Sequence, residues 1–232
     1  VQEGTTGDKL ATEEIKDSTV KRFKKAVDAA VDLKNGKVDA VVLDALPAQR
    51  IVEKNRELMI LGEELTKEEY AIAVKKGNKE LLDQINATLK RIKEDGTFDS
   101  IANAFGMNGG EITLPQSKES EYTEELIMGT NAEFEPFEYR ENGEIVGFDI
   151  EIAKEIANDM QKKLKVEDMN FDSLLGALSS GKVDMVIAGM TVDPERLESV
   201  DFSDPYFNAS QVVIIRKTSY IDGSSTSSEV SE

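Results

Sequence analysis

Apolar and polar positions along this chain repeat one unit, a helix, a glycine and then a strand, and the repeat predicts an α/β fold. Lys25 to Lys34 has amphipathic helical spacing and runs into NGKVDAVVLD, Asn35 to Asp44. Phe171 to Ser179 has similar spacing and runs into SGKVDMVIAG, Ser180 to Gly189. The stretch KVDMVIAG, Lys182 to Gly189, is short, apolar and β-branched, as a buried strand is. One unit occurring in both halves predicts two lobes of similar plan. Elsewhere, Thr130 to Ala157 reads as a strand end, an aromatic-rich loop, a turn at Asn142-Gly143 and an amphipathic helix. Asp193-Pro194-Glu195 reads as a helix start, with a cap, a proline at the first position and an acid in the first turn.

In each repeat the strand's C-terminal end carries the candidate chemistry, which is where open α/β sheets bind ligands. One end offers Asp44. The other offers Thr191, the amides of Ala188 to Thr191 and the guanidinium of Arg196, a set that can cradle a small carboxylate because the planar fork matches it bidentately. Arg196 reads equally as a surface salt-bridge partner and Asp44 as a helix cap, so spacing alone leaves both roles open.

Composition narrows the chemistry. The 232 residues include no cysteine and no histidine, which removes disulfides, thiolate nucleophiles and the commonest general base and zinc ligand. No metal site, cofactor or catalytic group is expected. A net charge of −18 without a basic stripe argues against nucleic acid as a partner. No run of eighteen apolar residues suggests a membrane span, and no export signal is read in this stretch.

The order TNAEFEPFEYRENGEIVGFDIEIAKEIA, FDSLLGALSSGKVDMVIAGMT and then the Arg196 segment ending in DFSDPY resembles the first lobe of the polar amino-acid-binding proteins that feed ABC importers, the extracellular solute-binding proteins of family 3. VQEGTTGDKLA, Val1 to Ala11, and NGKVDAVVLDALPAQ, Asn35 to Gln49, resemble that family's second lobe. The resemblance covers nearly the whole chain, with its two parts in reverse order. It implies a circularly permuted, two-lobed periplasmic-binding-protein type II fold of α/β class, with the ligand in a cleft between lobes. Lobe 2 is expected over 1–73, a hinge crossing and the C-terminal helices of lobe 1 over 74–105, a linker over 106–123, the main part of lobe 1 over 124–217 and a flexible tail over 218–232. A single crossing is expected near Ala71 to Lys76. Because little strand precedes GTTG, the lobe-2 sheet is expected to be frayed there or completed by other residues, the tail among them.

Position by position, the resemblance places the ligand α-carboxylate on Arg196, Thr191 and the backbone of Ala188 and Gly189, with Thr6 and Thr5 adding donors from the other lobe. Asp44 takes the α-ammonium. Phe134 and Phe171 stand where the family has aromatic walls, although spacing alone makes both core residues. Asn131 and Gln2 stand at the side-chain end. An amide at Asn131 favours a neutral polar ligand such as glutamine, with arginine or lysine next should Glu133 turn inward. The function implied is a monomeric, non-enzymatic receptor for a free L-amino acid that closes by hinge motion. It would work outside the cytoplasm, in the periplasm or at the cell surface, and deliver to an ABC importer permease. A dehydratase-type enzyme using Glu133 and a ligand-sensing module of a larger receptor are the alternatives. A natural permutation, an engineered one and a fragment of tandem modules all fit the reversed order.

Overall fold

The computed structural model describes residues 1–109, 112–113 and 121–218. In chain order the first elements are α1 (Thr6–Glu13), α2 (Ala26–Lys34), β1 (Ala40–Asp44), α3 (Ala45–Lys54) and β2 (Leu58–Leu61). β3 (Glu68–Tyr70), β4 (Ala73–Lys75), α4 (Lys79–Glu94), α5 (Thr97–Ala104), β5 (Glu125–Thr130), β6 (Glu133–Phe134), β7 (Glu138–Glu141) and β8 (Glu144–Val146) follow. Last come α6 (Phe148–Asp159), β9 (Lys163–Asp168), α7 (Leu174–Ser179), β10 (Met185–Val186), α8 (Pro194–Ser199), β11 (Val200–Phe202), β12 (Phe207–Ala209) and β13 (Gln211–Arg216). They form two compact α/β units: unit 1 is Val1–Lys67 with the stretch from Ala209 on, and unit 2 is Glu68–Asn208.

Unit 1 is built on an antiparallel sheet ordered β1-β13-β2. Its register pairs Asp44 with Gln211, Ala40 with Ile215 and Val213 with Leu61. The middle strand, QVVIIR, has Gln211, Val212, Ile214 and Ile215 buried, as a strand flanked on both edges should. Leu33 of α2, Leu58 of β2 and Ile214 are fully enclosed.

Here the structure departs from the sequence reading. Gln211 to Arg216 was expected in the same lobe as 124–210, and it lies instead in the unit 1 sheet. The chain passes between units at 67/68 and again at 208/209, not once near Ala71. The physical reason is that β1 and β2 do not pair with each other, so their inner edges need a third strand to satisfy the backbone. Residues outside the N-terminal stretch thus complete this sheet, while Gln2 makes only an isolated parallel bridge with Phe23. The expected tail, from 219 on, and 110–111 and 114–120 of the expected linker lie outside the described residues.

Unit 2 carries a mixed sheet ordered β11-β4-β10-β5-β9, parallel between β5 and both β9 and β10 and antiparallel at β4. The strand read over Lys182 to Gly189 is shorter as a ladder, Met185–Val186, but Asp184 and Ile187 extend its bonding through their amides to the carbonyls of Ile127 and Gly129. Ala73, Leu174, Leu178, Val183, Val186, Ala188, Met190 and Val200 form a core cluster of this unit. α4 and α6 are tied at the surface by Arg91, which donates to Glu155 at 2.6 Å and Asp159 at 2.9 Å. The Asn142-Gly143 turn closes the β7–β8 hairpin with φ of 52° and 89°, the left-handed pair that a two-residue turn requires.

Candidate functional site

In unit 2, α8 begins as its sequence predicts: Asp193 is the N-cap, its carboxylate accepting the Glu195 N–H at 2.8 Å, and Pro194 follows. This sets Arg196 in the first turn. Its Nη1 donates to the Thr191 carbonyl at 2.8 Å, and its Cζ lies 5.4 Å from the Phe171 ring centroid. A cation over an aromatic face and a bond to a carbonyl together hold the guanidinium in one orientation. Thr191 is itself fixed by an antiparallel bridge to Tyr70, flanked by the bonds Ala71 N–H to Met190 O and Val192 N–H to Glu69 O, both 3.0 Å. In such a pair the backbone groups of Thr191 point away from Tyr70, and that is the side on which Arg196 meets its carbonyl.

Two of the expected carboxylate donors are engaged within the unit. The Gly189 N–H donates to Asp149 Oδ2 at 2.9 Å, and the Thr191 hydroxyl donates to Glu68 Oε2 at 2.6 Å. Ala188 is buried in the core cluster. Phe134 is buried, stacks on Phe137 at 5.6 Å and lies against Gly189, so it belongs to the aromatic core as its spacing suggests. Phe171 is half-buried beneath Arg196. Asn131 is buried and donates through Nδ2 to the Met169 carbonyl at 2.9 Å, while Glu133 is half-buried opposite Tyr139.

Beneath this half-site lies a group that sequence reasoning missed. Asp149, fully enclosed in the first turn of α6, accepts from Gly189 N–H and from the Tyr206 hydroxyl, both at 2.9 Å. Burial raises its carboxyl to about 6, with Gly189, Tyr206 and Glu138 each pulling it back, and burial likewise pushes the Tyr206 phenol well above its ordinary range. An acid at a helix start usually reads as solvated. The only signal against that was the apolar company of Phe148 and Ile150, too weak to reveal partners 40 and 57 residues away.

In unit 1, Thr5 is the N-cap of α1. Its hydroxyl accepts the Asp8 N–H at 3.3 Å and donates to the Gln2 carbonyl at 2.8 Å. The Thr6 hydroxyl accepts from Gln211 Nε2 at 3.1 Å. Gln2 is buried and donates to the Lys24 carbonyl at 3.1 Å. Asp44 is 6% exposed at the N-cap position of α3, yet its side chain makes no capping hydrogen bond there, which separates it from the helix-cap reading. Gly7 explains the second glycine of GTTG: a Cβ there would lie 3.2 Å from the Val42 carbonyl and 2.8 Å from Gln211 Oε1. Unit 1 therefore gathers Thr5, Thr6 and Gln2 around one helix start and sets Asp44 at the end of the strand that α1 packs against.

Chemically, the two sets suit opposite charges. A fixed guanidinium beside a hydroxyl binds a carboxylate, and a nearly enclosed carboxylate binds an ammonium group. Among the described residues no group of acidic side chains could hold a metal ion.

Residues 126–226 match the family of bacterial extracellular solute-binding proteins, family 3. The chain is 50% identical over 96 residues, 41% of this chain and 38% of the relative, to the arginine-binding extracellular protein ArtP of Bacillus subtilis (strain 168). It is 43% identical over 98 residues, 42% of this chain and 40% of the relative, to ABC transporter arginine-binding protein 1 of Escherichia coli (strain K12). Among solved structures, the arginine-bound form of domain 1 from TmArgBP is 43% identical, covering 42% of this chain and 83% of that one, with a TM-score of 0.36. The chain spans less than half the length of the curated relatives it matches. No helix of the described residues is long and apolar enough to cross a membrane.

Proposed function

We propose that this protein is a non-enzymatic receptor for a free L-amino acid, acting outside the cytoplasm and delivering its ligand to the membrane permease of an ABC importer. The observation that carries the reading is Arg196, held over Phe171 and bonded to the Thr191 carbonyl, so that its guanidinium is oriented before a ligand arrives. Arg196 and Thr191 take the α-carboxylate, and Asp44 takes the α-ammonium. Relatives named as arginine-binding proteins support arginine ahead of glutamine as the ligand. Asn131, which had favoured glutamine, has its Nδ2 engaged by the Met169 carbonyl and so gives the neutral ligand less support. We also propose that the chain carries the family's two parts in reversed order; the family match at 126–226, behind the GTTG segment, supports this.

Thermal unfolding against the twenty L-amino acids tests the reading, because a ligand at a hundred times its dissociation constant stabilises the folded state by about 2.7 kcal/mol. Arginine is expected to raise the midpoint and Arg196→Ala to abolish the rise. A midpoint unmoved by every amino acid would refute the receptor role. Asp44→Asn is expected to weaken binding by at least about tenfold, with the isosteric change leaving the unliganded midpoint near that of the unsubstituted chain.

A further inference from the structure

We infer that Asp149 is a positioning residue of the unit 2 half-site: by holding the Gly189 amide it fixes the bend that presents the Thr191 carbonyl to Arg196. The inference rests on the amino-acid-receptor reading above and concerns a buried acid of α6 that acts on the site through this backbone.

Gly189 opens the bend that ends at Thr191. Its φ is 51°, and because a glycine takes left- and right-handed backbone about equally well, its neighbours decide which it keeps. Its N–H donates to Asp149 Oδ2 at 2.9 Å, while the Phe134 and Tyr70 rings fill the space where a side chain would stand. Two residues on, Thr191 is bridged to Tyr70, and its carbonyl accepts from Arg196 Nη1 at 2.8 Å. Tyr206 joins the two ends of the bend. Its hydroxyl donates to the same Asp149 oxygen at 2.9 Å, and its N–H donates to the Tyr70 carbonyl at 2.9 Å. One line of contacts thus runs from Asp149 through Gly189 to the carbonyl that orients the guanidinium, and a second returns through Tyr70 and Tyr206.

Packing does not account for a carboxyl at this position. Asp149 is fully buried, and enclosure costs a carboxylate its hydration. The two donors offset that cost only in part, since the carboxyl remains pushed up to about 6. An apolar side chain would avoid the cost and would leave the Gly189 N–H without its acceptor. A group that weakens the fold at neutral pH while it fixes the backbone of a binding site is the kind of local conflict that functional sites hold.

Calorimetric titration of the full chain with arginine and with glutamine at pH 7.5 gives the test. Asp149→Leu keeps the approximate size and removes the acceptor, and it is expected to weaken binding about tenfold. Asp149→Asn keeps a carbonyl oxygen for Gly189 and Tyr206 and is expected to recover most of that loss. Arg196→Lys replaces the planar fork with a point charge that needs no such orientation, so on that background Asp149→Leu is expected to cost less than about threefold. All variants are compared where circular dichroism shows them folded. Amide exchange of the unsubstituted, unliganded chain needs no substitution and is expected to find the Gly189 N–H protected before any amino acid is added. Affinity of Asp149→Leu within about twofold of the unsubstituted chain, equal losses in Asp149→Leu and Asp149→Asn, a full loss repeated on the Arg196→Lys background, or an unprotected Gly189 amide would each overturn the inference while leaving the receptor reading intact. Failure of the unsubstituted chain to bind either amino acid would overturn both.

Discussion

At Gly189, backbone conformation, packing and hydrogen bonding converge on one residue. Its φ of 51° is left-handed, a Cβ would stand 2.6 Å from Phe134 Cε1 and 3.3 Å from Tyr70 Cε2, and its N–H is held by Asp149. Gly189→Ala is expected to destabilise the protein by about 2 kcal/mol, from left-handed strain and an overpacked aromatic neighbour. Denaturant unfolding measures this. Asp149 below it has a pH signature. Its folded carboxyl titrates near 6, above the 3.8 of an unconstrained aspartate, so the folded state holds an extra proton between these values. Its contribution to stability is full below about 4 and is lost as pH rises through 6, a change on the order of 3 kcal/mol. The stability of the unsubstituted chain minus that of Asp149→Asn is therefore expected to fall from pH 4 to pH 7; a flat difference would show that Asp149 titrates normally. Glu68, also unforeseen, offers a third check. Because its carboxylate takes the Thr191 hydroxyl, Glu68→Ala is expected to tighten amino-acid binding several-fold by removing a competing like charge.

Among the elements, those legible in the sequence were the ones set by neighbours in the chain. The Asp193-Pro194 helix start, the Asn142-Gly143 hairpin and the helices that open the two repeats need only a few residues of context to form. QVVIIR has the β-branched composition of a strand, but β-branching carries no partner information, so nothing in the segment names the sheet it joins. Its place between β1 and β2 depends on pairings across more than 150 residues, such as Asp44 with Gln211. Separations of 205 and 123 residues likewise hid Gln211 beside Thr6 and Glu68 beside Thr191. Ile214, fully buried in β13, concentrates that dependence: Ile214→Ala is expected to cost about 2–5 kcal/mol. Hydrogen exchange should show β1 and β2 losing protection with it, while β5 and β9 keep theirs.

At the level of the whole chain, the two units differ in how they are encoded. Unit 2 is one continuous stretch, and unit 1 is assembled from both sides of it. The repeated helix–glycine–strand pattern announced two units, but composition offered no hint of where the chain would return. A fragment of residues 68–208 is expected to fold cooperatively by itself, since its sheet and core are complete within it. A fragment of residues 1–67 is expected to remain largely unfolded, lacking the strand that joins its sheet. Circular dichroism and thermal melting of the two fragments decide this.

The late position of β13 also matters while the protein is being made. When Lys67 leaves the ribosome, β1 and β2 exist with unpaired edges, and about 140 further residues must be synthesised before Gln211 to Arg216 emerges. At translation rates of about 5–20 residues per second the gap lasts on the order of ten seconds, far longer than strands and helices take to form. During that interval the N-terminal segment presents apolar, edge-exposed strands to the cell while the stretch behind it folds into unit 2. These edges stay open until the closing strand arrives, and slowing translation beyond Asn208 is expected to lengthen their exposure.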